Sequence, residues 1–288
     1  MNYVILIPVF NDWECLDLLI PEIDKQLKNS KEEVQVLIIN DGSTKNRIVS
    51  KNKISYLKKV EVLNLKKNVK AQIAIATGLE FLKEKKFEGG VIVMDGDGQD
   101  DPKQLIDLIQ ESKKDPKKTI TVNRSKREEE FLFKILYQIY LFFTFFLTFK
   151  YLKFGVYSYL HFSSINKILS TEDVYMAYVA GLAKHFKKRK KIYAARKKRI
   201  VGKSQNNYKS LIFYALKIIS VFRYQALINT FLMITAGTLL IGFEFYFLFF
   251  MFILIIFNII FFLIPYKIKK NLLENPLLNA GKVENFYD

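Results

Sequence analysis

Between Tyr224 and Tyr266 the only formal charge is Glu244. A stretch so apolar has no place on the outside of a water-soluble domain. It exceeds one membrane span of about 20 residues and suits two. Gly242-Phe243-Glu244 is the natural turn, which predicts helices over Ala226–Ile241 and Phe245–Ile264. The competing expectation is a buried helical core, but such cores rarely stay uncharged for so long. Lys and Arg crowd the approach to the first helix, and Lys267, Lys269 and Lys270 follow the second, while the turn has neither. Basic residues stay on the cytoplasmic side. The expectation is a multi-pass protein of the cytoplasmic membrane with both termini in the cytoplasm.

Two shorter apolar runs precede the hairpin. In residues 131–149, Lys134 and Gln138 fall on one helical face. That face suits the headgroup layer, so an interfacial helix is expected rather than a span. Leu211–Phe222 is a second interfacial candidate, and residues 184–209 between them are strongly basic. The formal charge is +17. An excess this large predicts an anionic partner. Attraction to anionic headgroups, about 1 kcal/mol per basic residue, accounts for most of the basic run. A single cysteine, Cys15, excludes an intrachain disulfide framework. Met1-Asn2-Tyr3 lacks the basic start of a signal peptide.

Residues 1–123 have a different character. Strand-like runs at Tyr3–Val9, Val34–Asn40, Val60–Leu65, Val91–Asp95 and Thr119–Asn123 alternate with helical patterns at Asp12–Lys28, Ala71–Lys85 and Pro102–Lys113. This alternation predicts an α/β domain, Rossmann-like, with a mostly parallel sheet and helices on both faces. Right-handed crossovers then gather the strand C-termini along one edge.

Chemistry-bearing residues cluster at that edge. The run Val91-Ile92-Val93-Met94-Asp95-Gly96-Asp97-Gly98-Gln99 ends in two aspartates two residues apart. In extended backbone such residues point the same way. Two carboxylates there suit a hard divalent cation, which in turn suits a diphosphate. A solvated acidic turn is the plainer alternative. Ile7-Pro8-Val9-Phe10-Asn11-Asp12 closes the first strand and Ile38-Ile39-Asn40-Asp41-Gly42-Ser43-Thr44 the second. Asn64-Leu65-Lys66-Lys67-Asn68-Val69-Lys70-Ala71 leads into a helix.

Together, in this order, these clusters resemble the nucleotide-binding half of a family 2 glycosyltransferase with the GT-A fold. Thr121-Val122-Asn123-Arg124-Ser125-Lys126-Arg127 resembles the family's arginine-bearing loop. Arg196-Lys197-Lys198-Arg199-Ile200-Val201-Gly202-Lys203-Ser204 resembles an Arg-x-x-Gly-x-Ser segment that precedes membrane helices. The combination is similar to the dolichol-phosphate mannosyltransferase and bactoprenol glucosyltransferase subgroup, over roughly residues 3–265. The resemblance implies that Pro8, Phe10, Asp12, Asp41, Asn68 and Asp95 bind the nucleotide sugar. It implies that Asp95, Asp97 and Gln99 hold Mg²⁺ or Mn²⁺, and that Asp97, Arg124 and Arg127 serve catalysis. Arg199, Lys203 and Ser204 are then expected at the lipid phosphate. Ion pairing with Glu128–Glu130 is the alternative for Arg124 and Arg127.

The implied activity is an inverting, metal-dependent hexosyl transfer from a UDP- or GDP-sugar to polyprenyl phosphate at the cytoplasmic face. Transfer to a hydroxyl of a lipid-linked saccharide or glycolipid is the alternative. That chemistry needs a base, for which Glu172-Asp173 is a candidate; an acidic pair at a helix start is the structural alternative. A non-catalytic basic membrane protein is a third reading, but it leaves the strand-end aspartates unexplained. For the same reason nucleic acid is not expected as a partner. Anionic lipids are, and association of copies through the hairpin stays open. The expected divisions are residues 1–130 (nucleotide-sugar core), 131–223 (acceptor and interface region), 224–266 (transmembrane hairpin) and 267–288 (a cytoplasmic tail, with 271–288 loose and polar).

The chain departs from the family pattern at several points. Phe10 replaces a tyrosine, Asp12 a glutamate, Asn40 the first of two aspartates, and Lys70 a frequent glycine. The Asp…Gly-Phe-Arg segment is replaced by Phe154-Gly155-Val156-Tyr157-Ser158-Tyr159-Leu160. The acceptor side is therefore the less defined half.

Overall fold

The structure is a computed structural model that describes residues 2–47, 52–125, 131–202, 208–242, 244–272 and 280–287, with backbone alone at 131–134, 208, 241 and 269–272. In chain order the elements are β1 (Asn2–Val9), α1 (Trp13–Gln26), β2 (Glu33–Asn40), β3 (Lys59–Leu65), α2 (Ala71–Glu84), β4 (Gly90–Val93), α3 (Gln104–Lys114) and β5 (Ile120–Arg124). There follow α4 (Phe131–Thr148), β6 (Phe154–His161), α5 (Ile165–Leu169), α6 (Asp173–Met176), α7 (Tyr178–His185) and β7 (Lys190–Ala194). The last are α8 (Tyr208–Val221), α9 (Arg223–Ile241), α10 (Phe245–Leu272) and β8 (Ala280–Asn285). They form two compact units. One comprises Met1–Glu128, Lys153–Gln205 and Glu274–Asp288, the other Glu129–Leu152 and Asn206–Leu273.

The first unit is built on one sheet of order β7-β5-β6-β4-β1-β2-β3-β8. β1 pairs in parallel with β2 and β4, β2 with β3, and β5 with β7. β6 runs antiparallel to β4 and β5, and β8 antiparallel to β3. Because side chains alternate along a strand, Tyr3, Ile5 and Ile7 face α1 (Leu16, Ile20, Ile23) and α3 (Leu105, Leu108, Ile109) in one buried cluster. The opposite face takes α2. A Cβ on Gly78 would lie 2.7 Å from Leu6 and 2.9 Å from Ile39, so this glycine lets the helix seat closely on the sheet.

Three strands differ from expectation. β6 takes in the segment read as a replaced motif: its Tyr157 and Tyr159 are buried, and its Ser158 Oγ meets Tyr178 Oη of α7 at 2.9 Å. β7 lies inside the basic run, where exposed Lys190 and Lys191 suit an edge strand. β8 lies in the tail expected to be loose, anchored by Phe286, which is 1% exposed. Among the described residues six strands run one way, as expected of a mostly parallel sheet, and β6 and β8 run against them. β4 also ends at Val93, two residues before the expected Asp95.

The second unit contains α4, α8, α9 and α10. Leu147, Ile219, Ala226, Leu254 and Phe261 form its core. Inside it, Asn229 Nδ2 donates to Leu147 O at 2.9 Å and Asn258 Nδ2 to Thr230 Oγ1 at 2.9 Å. Its outer face is apolar: Leu240 and Tyr246 are each 85% exposed. Among the described residues one helix, Phe245–Ile268, is long and apolar enough by itself to cross a membrane. Lys209–Val221 and Arg223–Leu240 pass that test only as a pair bent by 86°.

Candidate active site

The C-terminal ends of β1, β2 and β4 lie side by side, as their parallel pairing requires. Asp41 follows β2 and is 2% exposed. Its Oδ1 accepts the Val69 N–H at 2.6 Å. Burial nevertheless raises its pKa to about 6, against the opposing pull of the Val69 and Lys70 amides. Gly42 has φ +65, and a Cβ there would lie 2.5 Å from the Lys67 carbonyl carbon. The loops after β2 and β3 are thus in backbone contact, which only glycine allows.

Asn11 ties the loop after β1 to the loop after β2. Its Oδ1 accepts the Thr44 and Lys45 N–H groups at 2.8 and 2.9 Å, and its own N–H donates to Ser43 Oγ at 2.9 Å. Asn11 takes φ 61, a conformation Asn tolerates better than most residues. Beside it lies a cleft of about 180 Å³, lined by Asp12, Trp13, Lys45, Arg199 and Val201 among others.

The end of β4 is a web of charge. Asp95 and Asp97 are separated by a turn, so the same-side argument for extended backbone does not apply to them. Asp100 folds back, its Oδ2 accepting the Asp95 N–H at 2.9 Å, and Asp97 Oδ1 accepts the Gln99 N–H at 3.0 Å. The Asp95 carboxyl titrates well above the usual range, first because it is desolvated and then because Asp100 and Asp97 crowd it. Asp100 is raised as well, again chiefly by burial. Arg196 lies 3.9 Å from Asp95, and the positive charge of Arg124 acts on both Asp95 and Asp100. Gly155 makes room for the Arg124 guanidinium, 2.7 Å from where a Cβ would stand.

Arg199 joins the two strand ends. Its Nη2 bonds Asp12 Oδ1, its Nη1 lies 3.5 Å from Asp97 Oδ2, and its Nε donates to Val201 O at 2.8 Å. The segment that carries it lies across the aspartate turn. The Ile200 and Lys197 N–H groups donate to Asp97 O at 3.2 Å and Gln99 O at 2.9 Å. Ile200 covers Gly98, where a Cβ would meet it at 2.2 Å.

The structure thus brings Asp12, Asp95, Asp97, Gln99, Arg124 and Arg199 together. Arg199, expected at a lipid phosphate, lies between the carboxylates of Asp12 and Asp97. Pro8 stands in β1 opposite Ile39, Phe10 is half-buried, and Asn68 Oδ1 accepts the Lys70 N–H at 3.3 Å. Arg127, Lys203 and Ser204 lie outside the described residues. Sequence reasoning gave no role to Asp100, which directly follows the quoted aspartate run, or to Arg196, which opens the quoted basic segment.

Glu172-Asp173 opens α6. Asp173 is 1% exposed, and its carboxylate takes Thr171 Oγ1 at 3.0 Å, His185 Nε2 at 2.8 Å and Lys184 Nζ at 2.9 Å. These partners occupy it as a structural anion.

Among the described residues no three His, Cys, Asp or Glu side chains converge as a ready metal cage. Magnesium ordinarily takes one or two carboxylates and completes its shell with water and substrate phosphate. Asp95 and Asp97 are the two carboxylates that this strand end offers to such an ion.

Residues 4–174 match the family described as Glycosyl transferase family 2. The chain belongs to that family, and its sheet is of the GT-A type. It is 30% identical over 139 residues to the uncharacterized glycosyltransferase YkcC of Bacillus subtilis (strain 168), an alignment covering 46% of this chain and 40% of that protein. The chain therefore spans about two fifths of that relative's length. It is similar in structure to glucosyl-3-phosphoglycerate synthase from Mycobacterium tuberculosis in complex with UDP. There the TM-score is 0.49 at 10% identity, over 78% of this chain and 80% of that one. It is also similar to S. aureus TarS 1-349, with a TM-score of 0.45 at 14% identity over 84% and 75%.

Proposed function

We propose that this chain transfers a hexose from a UDP- or GDP-sugar to polyprenyl phosphate at the cytoplasmic face of the membrane, in the manner of the polyprenyl-phosphate glycosyltransferases. The observation that carries the reading is Arg199, which bridges Asp12 at the end of β1 and Asp97 at the end of β4. A guanidinium already poised between two carboxylates can turn to a phosphate with two parallel hydrogen bonds. Asp41, when ionised, accepts an N–H from the base edge of the nucleotide. Arg124 and Arg196 neutralise the charge that grows on the departing nucleoside diphosphate. Asp95 and Asp97 would hold Mg²⁺ or Mn²⁺, which supplies Lewis-acid relief of the same charge.

A phosphate acceptor is already an anion at neutral pH and needs positioning rather than proton removal. Two features support such an acceptor. Asp173, one of the two base candidates Glu172 and Asp173 for a hydroxyl acceptor, is fully engaged with Thr171, Lys184 and His185. His161 pairs with Gly90, at the sheet edge opposite the aspartates.

Chain order supports attachment to the membrane by a hairpin. β7 precedes α8–α10 and β8 follows them, yet both are strands of one sheet. A single crossing by α10 would put β8 on the far side of the bilayer from β3. An even number of crossings keeps β7 and β8 on one side, and in this reading α9, bent against α8, supplies the crossing that accompanies α10. By the same reasoning α4, between the paired strands β5 and β6, makes no single crossing and lies in the interface.

The test is a thermal-shift panel of UDP- and GDP-sugars with and without Mn²⁺, since a bound ligand raises apparent stability. It is followed by mass spectrometry of the lipid product. A phosphodiester-linked monosaccharide is expected. An extended glycan would favour the hydroxyl acceptor, and no nucleotide-sugar binding would defeat the proposal.

A further inference from the structure

Beyond the apolar helices the chain returns to the sheet, and its contacts there reach the nucleotide side of the cleft. At the β3–β8 pair, Val283 stands opposite Leu63 and Ala280 opposite Leu65, and the register shifts between them, at Asn64. Asn64 Nδ2 donates to Lys282 O at 3.3 Å. Its Oδ1 accepts Asn40 Nδ2 at 2.8 Å, and Asn40 stands opposite it in the β2–β3 register. Asn40 Oδ1 in turn accepts the Ser43 N–H at 3.0 Å, and Ser43 Oγ accepts the Asn11 N–H at 2.9 Å. A second link runs through Arg47, whose Nη1 donates to Asn285 O at 3.0 Å while its guanidinium lies over the Phe286 ring.

We infer that Asn64 and the β8 strand are positioning elements of the donor pocket, holding the Asn40–Lys45 loop in the shape that receives a nucleoside diphosphate. The inference rests on the nucleotide-sugar reading of that pocket. The side-chain hydrogen bonds of Asn64 go to Asn40 and Lys282, not to the residues assigned to the donor. It acts through Asn40, whose amide is both donor to Asn64 and acceptor for the loop. Each amide gives one hydrogen bond and takes another: the Asn64 oxygen holds Asn40 at 2.8 Å, and its N–H reaches β8 at the longer distance of 3.3 Å. Gly281 is the fitted counterpart in the strand: a Cβ there would stand 2.9 Å from the Asn64 carbonyl oxygen.

The test uses the full chain with UDP and GDP as probes, titrated calorimetrically in the presence of Mn²⁺, with the ligand-free Tm recorded for every variant. Asn64→Ala is expected to raise the Kd of whichever nucleotide the native chain binds by about fivefold, the effect of one net hydrogen bond. Asn64→Asp keeps the acceptor for Asn40 and is expected to restore the affinity to within about twofold. Gly281→Ala, which displaces the Asn64 backbone from outside the pocket, is expected to weaken binding by about threefold. Variants that lower Tm but leave Kd unchanged would reduce Asn64 and β8 to a structural role and overturn the inference. A native chain that binds neither nucleotide would overturn the donor reading itself, and this inference with it.

Discussion

Asp41 at the end of β2 and the aspartates at the end of β4 occupy neighbouring strand ends but are held in different ways. Asp41 is walled in by backbone, with the Val69 amide as its bonded partner and glycine contact between the loops that enclose it. Asp95, Asp97 and Asp100 instead face Arg124, Arg196 and Arg199. A backbone cradle fixes one hydrogen-bonding geometry and suits recognition of one planar edge. A charge web can exchange partners, since a guanidinium that leaves a carboxylate can take a phosphate. On the proposed reading, one strand end selects and the other accommodates charge that changes during reaction.

The sharpest way to break this contrast is Asp97→Asn. Transfer to polyprenyl phosphate should fall about a thousandfold, the order of losing one electrostatic stabiliser of a transition state. The Tm should hold, because the variant removes one of several crowded negative charges. Radiolabelled transfer at the native level in this variant would break the contrast at the β4 end.

Next in size is Arg199→Lys. An ammonium cannot reproduce the fork that reaches Asp12, Asp97 and Val201 together. Donor Kd should rise roughly tenfold, and titration calorimetry checks it.

Asp41→Asn tests the other end. Burial raises the folded-state pKa of Asp41 to about 6. Between about pH 4 and pH 6 the folded chain keeps a proton that the unfolded chain has released. The stability this gives is present below pH 4 and is lost as pH rises through 6. Asn keeps an acceptor for Val69 and removes the titration. The decline of urea midpoints across that window should therefore shrink by the share of Asp41, while Asp95 and Asp100 keep theirs, with stability at pH 7 higher by up to about 2 kcal/mol. Donor affinity in the native chain should fall as pH drops below 6, where the carboxyl becomes neutral, and should fall less steeply in the variant.

The smallest effect is expected from Lys70→Gly. Lys70 has φ 74 and ψ 151, backbone that belongs almost exclusively to glycine. Replacement should stabilise the chain by about 1 kcal/mol, seen as a higher Tm. Lys70 follows directly on Val69, so any gain in donor affinity would show that the strain reaches the Asp41 cradle.

The strands that position the site were legible because each is a buried apolar run: β1, β2 and β4 read as such from Tyr3, Val34 and Val91 onward. The edge strands were not. β7 carries Lys190 and Lys191 and β8 carries Lys282 and Glu284, since an edge must repel further pairing. A single apolar anchor, Phe286, is too little for a pattern to register. β6 was masked by its tyrosines, which reach hydrogen-bond partners such as Pro116 O for Tyr159. Within the site, Asp12, Asp41, Asp95 and Asp97 stood out by residue type at strand ends. What no local pattern reveals is the reach of Arg199 across the sequence to Asp12, because that contact exists only once the chain has folded. The Lys70 departure was visible as a missing glycine, and the backbone torsion supplies its physical meaning.

The order of strands also sets an order of synthesis. β3 gains its outer neighbour only from residues translated after α10, so the ribosome makes every apolar helix while that sheet edge is still open. During this interval an unpaired strand and a run of greasy helices coexist on one nascent chain. Until β8 arrives, both stay open to pairing and clustering with other chains, so residues 280–285 close the sheet last.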